Sequence, residues 1–264
     1  MLPVWLTDTV TPDLDRALHY TLLWGLEGVV LRAVGSHDDR VPHVNEAKLK
    51  RRLAEHDVPA VAVDPGLFEG PAGDRGAWMN DLALLPDVLA FCRRIGCGTV
   101  LVGALSGDEG LAVEALRRAA DAAARPGLQL AVQNTSDRSD EGLADRATGQ
   151  AVAALLDAVD RPNVRACWRP ADALEAGEPA LGGLEALGER IALVMVRDGA
   201  RMAGGWAPRS LGEGEVGWED VLRALHGAGY DGPLCLDLSD LAAAKDGLRE
   251  ATTLIGLIRK ARRG

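Results

Sequence analysis

The chain has 264 residues, of which 47% are apolar and 26% are charged, and its formal net charge is −10. This composition is too apolar for a disordered chain, and its acidity gives no electrostatic reason to bind nucleic acid or an anionic membrane. No run of about 18 uncharged apolar residues predicts a membrane span.

Short β-branched apolar runs alternate with longer Ala- and Leu-rich stretches of helical period along the whole chain. We predict strands at 4–7, 28–32, 60–63, 99–102, 128–133, 164–168, 191–196 and 233–238. We predict helices at 13–24, 45–56, 80–95, 108–124, 147–159, 182–187, 218–227 and 241–262. The chain therefore consists of eight β-then-α units.

Several predicted strands are apolar at consecutive positions, which is typical of parallel strands that are covered on both faces. Eight such units in a chain of this length predict a single (β/α)₈ TIM barrel, with one domain over residues 1–264. The alternative is a doubly wound open sheet, which normally has a glycine-rich phosphate turn after its first strand. The residues after the first strand, Thr7 to Val10, do not form such a turn, so we favour the barrel.

The four cysteines have neither zinc-like nor redox spacing, and Cys167 and Cys235 lie inside apolar strands, where a thiol behaves as a small core residue. The first 15 residues lack the basic and apolar regions of a signal peptide. We therefore expect reduced thiols and a cytoplasmic location.

The segment 211–238 combines a Leu-Gly-x-Gly loop, a helix and a Gly-Tyr-x-Gly turn that leads into the last strand. It resembles the xylose-isomerase-like barrel family, which includes sugar and sugar-phosphate isomerases and epimerases and related divalent-metal barrels. The stretches 25–32, 130–134 and 194–198 resemble the second, fifth and seventh strands of that family. The resemblance implies isomerase or epimerase activity in carbohydrate metabolism, on a small polyol, keto sugar or related acid.

Members of this family usually bind one divalent metal through Glu, Asp, His and Glu at the ends of the fifth to eighth strands. Carried over by position, these ligands become Gln133, Arg169, Met195 and Asp237. A neutral amide and a thioether suit Mg²⁺ or Mn²⁺ poorly, and an arginine brings a cation into the metal's place. We therefore expect a degenerate metal site and no cofactor. The alternative that Asp172, three residues after Arg169, is the sixth-strand ligand stays open.

Arg169 and Asp237 are the candidate catalytic residues. In one interpretation they pair with each other and form a polar plug with Gln133 and Asn134 in place of the lost metal. In the other, Arg169 replaces the metal as an electrophile that holds a carboxylate, phosphate or enediolate oxygen, while Asp237 or Asp198 transfers a proton.

Further side chains at strand ends are candidates for substrate contact. They are Gln133, Asn134, Arg32, Trp168, Arg197 and Asp198. Core packing is the alternative for Trp168, and a salt bridge between neighbouring loops is the alternative for Arg197 and Asp198.

Two classes of function are compatible with these residues. An enzyme of the isomerase type would have an open polar cavity in which Arg169 is accessible to a small-molecule substrate. A non-catalytic descendant, which binds a small molecule or a partner protein, would have Arg169 and Asp237 bonded to each other with little free volume. A homo-oligomer is compatible with either, and the sequence does not identify the substrate.

Overall fold

The structure, a computed structural model, describes residues 1–135, 138–139, 142–143, 146–239 and 244–263. The strands are β1 Leu2–Leu6, β2 Val29–Leu31, β3 Ala60–Val63, β4 Thr99–Val102, β5 Gln129–Gln133, β6 Arg138–Ser139, β7 Gly142–Leu143, β8 Val164–Trp168, β9 Ile191–Val196, β10 Asp198–Met202, β11 Gly205–Arg209 and β12 Pro233–Leu236. The helices are α1 Leu14–Leu23, α2 Glu46–His56, α3 Arg75–Ile95, α4 Glu109–Ala124, α5 Gly149–Val159, α6 Pro170–Glu175, α7 Ala180–Leu187, α8 Trp218–Gly227 and α9 Ala244–Ala261.

Eight parallel strands close into a barrel in the order β1, β2, β3, β4, β5, β8, β9, β12 and back to β1. Helices follow these strands and cover the barrel from outside, so the predicted (β/α)₈ TIM barrel is confirmed. The fifth to eighth predicted strands are β5, β8, β9 and β12. Among the described residues, no helix is long and apolar enough to span a membrane.

Element boundaries differ from the predicted ones mainly at the carboxyl ends of the strands. The strand β12 ends at Leu236, so Asp237 lies one residue beyond it. Helix α3 begins five residues earlier than predicted, because Asp74 accepts a hydrogen bond from the backbone N–H of Ala77 and caps it there. The predicted start of the last helix, at 241–243, lies outside the described residues.

The apolar core has two separate parts. The larger part lies between the barrel and its surrounding helices, and it includes Trp5, Trp78 and Trp218. The smaller part fills the inside of the barrel with side chains from every strand. Its buried members are Val4, Leu6, Val30, Ala62, Leu101, Ala131, Cys167, Leu193, Met195 and Cys235. The barrel interior is thus packed with side chains, and a ligand has access only at its ends.

Candidate functional site

One residue from each barrel strand follows the inner core at the carboxyl end of the barrel. Because side chains alternate between the two faces of a strand, the position two residues after the last inner core residue of each strand lies at the mouth, at the strand's last residue or just beyond it. We call these eight positions the mouth ring. They are Asp8, Arg32, Asp64, Gly103, Gln133, Arg169, Arg197 and Asp237. An apolar barrel interior therefore ends in a ring that is mostly charged.

Gly103 is the one residue of the mouth ring without a side chain, and the backbone explains why. A Cβ atom at this position would lie 2.2 Å from the carbonyl oxygen of Phe68. The loop after β3 crosses the end of β4 here, and the N–H of Gly103 donates to the carbonyl oxygen of Leu67 at 2.8 Å. Backbone, rather than a side chain, closes this side of the ring.

Arg169 contacts three other polar side chains of the site. Its Nε donates to Oδ2 of Asp172 at 3.1 Å, and its Nη1 donates to Oε1 of Gln133 at 3.3 Å. Its Nη2 lies 3.5 Å from Oδ2 of Asp237. The structure therefore brings together the two candidate catalytic residues, and it adds Asp172 between β8 and β9.

Asn134 fixes the backbone of Arg169 and does not face a ligand. Its Oδ1 accepts from the N–H of Arg169 at 2.7 Å, and its Nδ2 donates to the carbonyl oxygens of Arg169 and Ala147 at 2.9 Å each. The side chain is 1% exposed. We assign Asn134 a positioning role, since its donor and acceptor atoms are engaged with backbone.

Asp172 joins two arginines of the mouth ring. Its Oδ1 lies 3.0 Å from Nη2 of Arg197, while its Oδ2 accepts from Arg169. The Asp172 side chain is 3% exposed, whereas those of Arg169 and Arg197 are 18% and 23% exposed. A buried carboxylate thus holds two partly exposed guanidinium groups side by side. The sequence left Arg169 and Asp172 as alternatives for one position, and both lie in the site.

A second charged group lies on the opposite side of the ring. Nε of Arg32 donates to Oδ2 of Asp8 at 2.8 Å, and Asp64 follows on the next strand. The Asp8 and Asp64 carboxylates were not among the predicted substrate contacts. The i, i+2 spacing from the inner core residues Leu6 and Ala62 is the signal that identifies both.

The carboxylates of the ring differ in their pKa values. Burial raises the pKa of Asp64, and the nearby positive charges of Arg32 and Arg169 offset this only in part. Burial also works against ionisation of Asp237, but Arg169 and hydrogen bonds from Ser239 lower its pKa overall. Asp237 is thus held as a carboxylate, and Asp64 takes up a proton more readily.

The arginines stay charged. Burial disfavours the charged form of Arg169, but Asp172 and Asp237 outweigh it and raise its pKa. The pKa of Arg32 is raised in the same way, by Asp8, Asp64 and Asp237, against the effect of burial. The carboxylate side chains of Asp8, Asp172 and Asp237 are 3–7% exposed, so an incoming ligand meets mainly guanidinium groups.

Three predicted positions lie away from the mouth. Trp168 is fully buried between barrel and helices, which corrects the expectation that it contacts substrate. Met195 lies inside the barrel, and Arg197, two residues later, is the β9 residue of the ring. Asp198 accepts backbone hydrogen bonds from Gly199, Gly212, Gly214 and Val216, so it holds the loop before α8 and we remove it from the candidate site.

The residues present do not fit the divalent metal that the family resemblance implied. Nη1 and Nη2 of Arg169 reach towards Gln133 and Asp237, and a cation would meet the guanidinium there. In the part of the chain that the structure describes, no cluster of three or more His, Cys, Asp or Glu residues is arranged to hold a metal ion. The expectation of a degenerate metal site and no cofactor stays a prediction.

A groove of about 980 Å³ lies at the opposite, amino-terminal end of the barrel. Two of the arginines that line it, Arg165 and Arg190, donate to backbone carbonyls, including those of Ile191 and Ala186. These two arginines are engaged in holding the barrel base. The charged residues that the sequence predicted lie at the other end.

A model of the xylose isomerase-like TIM barrel family matches residues 19–255. The chain belongs to this family. No curated protein matches the chain.

Solved structures of similar fold include two sugar epimerases and a dehydratase. D-allulose 3-epimerase from Methylomonas sp. is 17% identical, with a TM-score of 0.76 over 97% of this chain and 96% of that one. 3-Keto-D-glucoside 4-epimerase from E. coli is 14% identical, with a TM-score of 0.76 over 97% and 99%. The probable 3-DHS dehydratase from Bacillus anthracis is 13% identical, with a TM-score of 0.78 over 97% and 99%. At these identities the likeness shows the shared fold.

Proposed function

We propose that this protein is a sugar or sugar-phosphate isomerase/epimerase-like enzyme that acts on a small polyol, keto sugar or related acid without the family's divalent metal. The proposal rests mainly on the contacts and the partial exposure of the Arg169 side chain. It stands at a metal-ligand position, three polar side chains brace it, and 18% of its side chain remains exposed. A guanidinium held in this way can meet a ligand oxygen.

Proton transfer next to a carbonyl is the reaction that such a site supports. A carboxylate removes the proton from the carbon beside the carbonyl, the C–H electrons form a carbon–carbon double bond, and the carbonyl oxygen becomes an enediolate oxygen. The charge of Arg169 stabilises that oxygen in a partly desolvated place. In an epimerase the proton then returns to the opposite face of the same carbon. In an isomerase it returns to the former carbonyl carbon, while the proton of the adjacent hydroxyl passes to the former carbonyl oxygen and that hydroxyl becomes the new carbonyl.

Two carboxylates of the ring are suited to these steps. Asp237 contacts Arg169 and is held ionised, so it serves as the proton acceptor. Asp64 has a raised pKa, which makes its protonated form available as a donor. Arg32, Arg197 and Gln133 complete the set of ring side chains that can orient the substrate.

A non-catalytic, ligand-binding barrel is the second candidate. The contacts of Arg169 with Gln133, Asp172 and Asp237 resemble the polar plug expected if the chemistry has been lost.

Deuterium exchange separates the two candidates, because it detects proton transfer in whichever compound of a panel the site accepts. Purified protein is incubated in D₂O with a panel of keto sugars, sugar phosphates and keto acids, and NMR follows deuterium at the carbon beside the carbonyl. We expect exchange with at least one compound, and loss of exchange in Arg169→Met and Asp237→Asn. Asp87→Asn, on an exposed face of α3, is the matched control. Exchange with none of the compounds would favour the non-catalytic barrel.

A further inference from the structure

Asp8 has one carboxylate oxygen that the protein leaves without a hydrogen bond. Its Oδ2 accepts from Nε of Arg32 at 2.8 Å, while its Oδ1 is buried and has no donor among the described residues. The Asp8 side chain is 5% exposed. Leaving a buried carboxylate oxygen without a donor is unfavourable, so this oxygen calls for a partner from outside the protein.

Two other buried carboxylates at the mouth, those of Asp172 and Asp237, do not share this property. Both oxygens of Asp172 contact arginines. For Asp237, Oδ1 accepts from the hydroxyl and the N–H of Ser239, and Oδ2 faces Arg169. Among these carboxylates at the barrel mouth, Asp8 is the one with an oxygen that no donor reaches.

Asp8 lies where a ligand at Arg169 would reach. Its strand, β1, pairs directly with β12, which leads to Asp237. Asp237, Asp8, Arg32 and Asp64 follow the four neighbouring strands β12, β1, β2 and β3, so these groups lie around one part of the mouth. Asp237 in turn contacts Arg169, so a continuous row of polar side chains runs across the mouth from Asp8 to Arg169.

The charges around this space determine the kind of donor that fits. Arg32, Arg169 and Arg197 have side chains that are 18–28% exposed, so an ammonium ligand would meet guanidinium groups at the entrance. A hydroxyl group is a donor without that penalty. An anionic group on the same ligand would in turn find two adjacent donors in Arg169 and Arg197, which Asp172 holds together.

We propose that the site binds an anionic polyol, whose carboxylate or phosphate lies against Arg169 and Arg197 and whose hydroxyl donates to Oδ1 of Asp8. This inference rests on the proposed function in that it names the substrate class of the same site. Asp8 is then a specificity-determining residue, which favours anions that carry hydroxyl groups over anions that lack them.

Calorimetric titration tests the inference with four probes. D-gluconate and hexanoate are six-carbon carboxylates with and without hydroxyl groups, D-glucose 6-phosphate carries a phosphate, and D-glucose is neutral. We expect the wild-type protein to bind gluconate or glucose 6-phosphate at least tenfold more tightly than hexanoate and glucose. The better of the two anions identifies the anionic group.

Variants assign the hydroxyl contact. Asp8→Ala should weaken binding of the preferred probe by roughly tenfold or more, which is the scale of a hydrogen bond to a charged group, and leave hexanoate unchanged. Asp8→Asn retains an acceptor for Arg32 and should show the same selective loss if Asp8→Ala is poorly folded. Arg169→Met should weaken the binding of both the preferred probe and hexanoate, whereas Asp87→Asn should change the binding of neither.

The outcomes separate this inference from the proposed enzyme. Asp8-dependent binding without deuterium exchange would support the site and contradict the enzyme. Deuterium exchange whose KM does not respond to Asp8→Ala would support the enzyme and overturn the role of Asp8. Binding of none of the probes, or equal binding of gluconate and hexanoate, would also overturn it.

Discussion

The guanidinium of Arg169 lies 3.5 Å from the carboxylate of Asp237, further than the 3.1 Å that separates it from Asp172. The two contacts have different consequences. The Asp172 contact is a hydrogen bond to a buried partner, and it fixes the arginine. The Asp237 contact is longer than an ordinary charge-assisted hydrogen bond, so it restrains the guanidinium less than the Asp172 contact does.

Removing the Arg169 guanidinium should destabilise the fold as well as the site. Arg169→Met removes one of the two arginines that hold Asp172 and the cation that contacts Asp237, which should lower the free energy of unfolding by roughly 3 kcal/mol. A double-mutant cycle with Asp172→Asn in urea should give a coupling energy of roughly 1–3 kcal/mol. Additive effects of the two substitutions would show that the ion pair contributes nothing to stability.

Restoring the family's ligand types should restore metal binding. We expect the wild-type protein to retain only substoichiometric Mn²⁺ after dialysis, as measured by elemental analysis. The triple variant Gln133→Glu, Arg169→Asp, Arg197→His should retain Mn²⁺ with Asp237 as its fourth ligand, because it places the family's ligand types at four positions of the mouth ring. The same variant with Asp237→Asn is the matched control. Stoichiometric Mn²⁺ in the wild-type protein would contradict the prediction of a degenerate site.

Two aspartates of the mouth should affect stability in opposite directions. The folded-state pKa of Asp64 is raised, so its ionised form costs stability above its ordinary pKa, and Asp64→Asn should stabilise the protein at neutral pH. The folded-state pKa of Asp237 is lowered, so it contributes stability above its ordinary pKa, and Asp237→Asn should destabilise the protein at neutral pH.

Urea unfolding from about pH 2 to about pH 8 measures both effects, because the ordinary pKa of Asp is about 3.9 and the lowered pKa of Asp237 lies below it. The gain from Asp64→Asn should shrink as the pH falls towards that value. The loss from Asp237→Asn should shrink as the pH falls through the lowered pKa of Asp237. Parallel pH profiles for the two variants would refute the assigned shifts.

The closed side of the mouth ring offers a steric test. Gly103→Ala would place a methyl group 2.2 Å from the carbonyl oxygen of Phe68, which is backbone and cannot rotate away. We expect a loss of roughly 3 kcal/mol in unfolding free energy. Gly98→Ala has open space around its Cβ and serves as the control in the same thermal scan. Equal melting temperatures for the two variants would show that the loop after β3 yields easily.

The loop before α8 should depend on Asp198. Asp198→Ala removes the acceptor of four backbone N–H groups and should lower stability by roughly 2 kcal/mol, since part of the loop can bind water instead. Limited proteolysis should then cut within 199–216 before it cuts elsewhere. A cleavage pattern unchanged from the wild type would mean that the loop holds its shape without the carboxylate.

The barrel could be predicted because its signal is local and repeated. The strands at Ala60–Val63, Thr99–Val102, Val164–Trp168 and Ile191–Val196 match their predicted ranges, since each is a short apolar run between helical patterns. The hairpin β10–β11 was missed, because its residues are mostly small or polar and lack clear alternation.

The site was predictable only in part. Arg169, Gln133 and Asp237 were found because a family pattern marks their positions. Asp198 was misplaced because adjacency to a strand does not say whether a carboxylate faces a ligand or its own loop. Asp8 was overlooked because it has no distinctive neighbours in the sequence; its spacing from the inner core residue Leu6 and its Oδ1, which has no donor among the described residues, identify it once the fold is known.

The core consists of an inner cluster and an outer layer, and the mouth ring belongs to neither. The side chains that determine the chemistry of the site are therefore separate from those that pack the barrel. A change at a ring position leaves the packing of inner strand residues such as Met195 and Cys235 in place. The same independence makes the ring a compact target for directed evolution, in which a handful of codons set what the barrel binds.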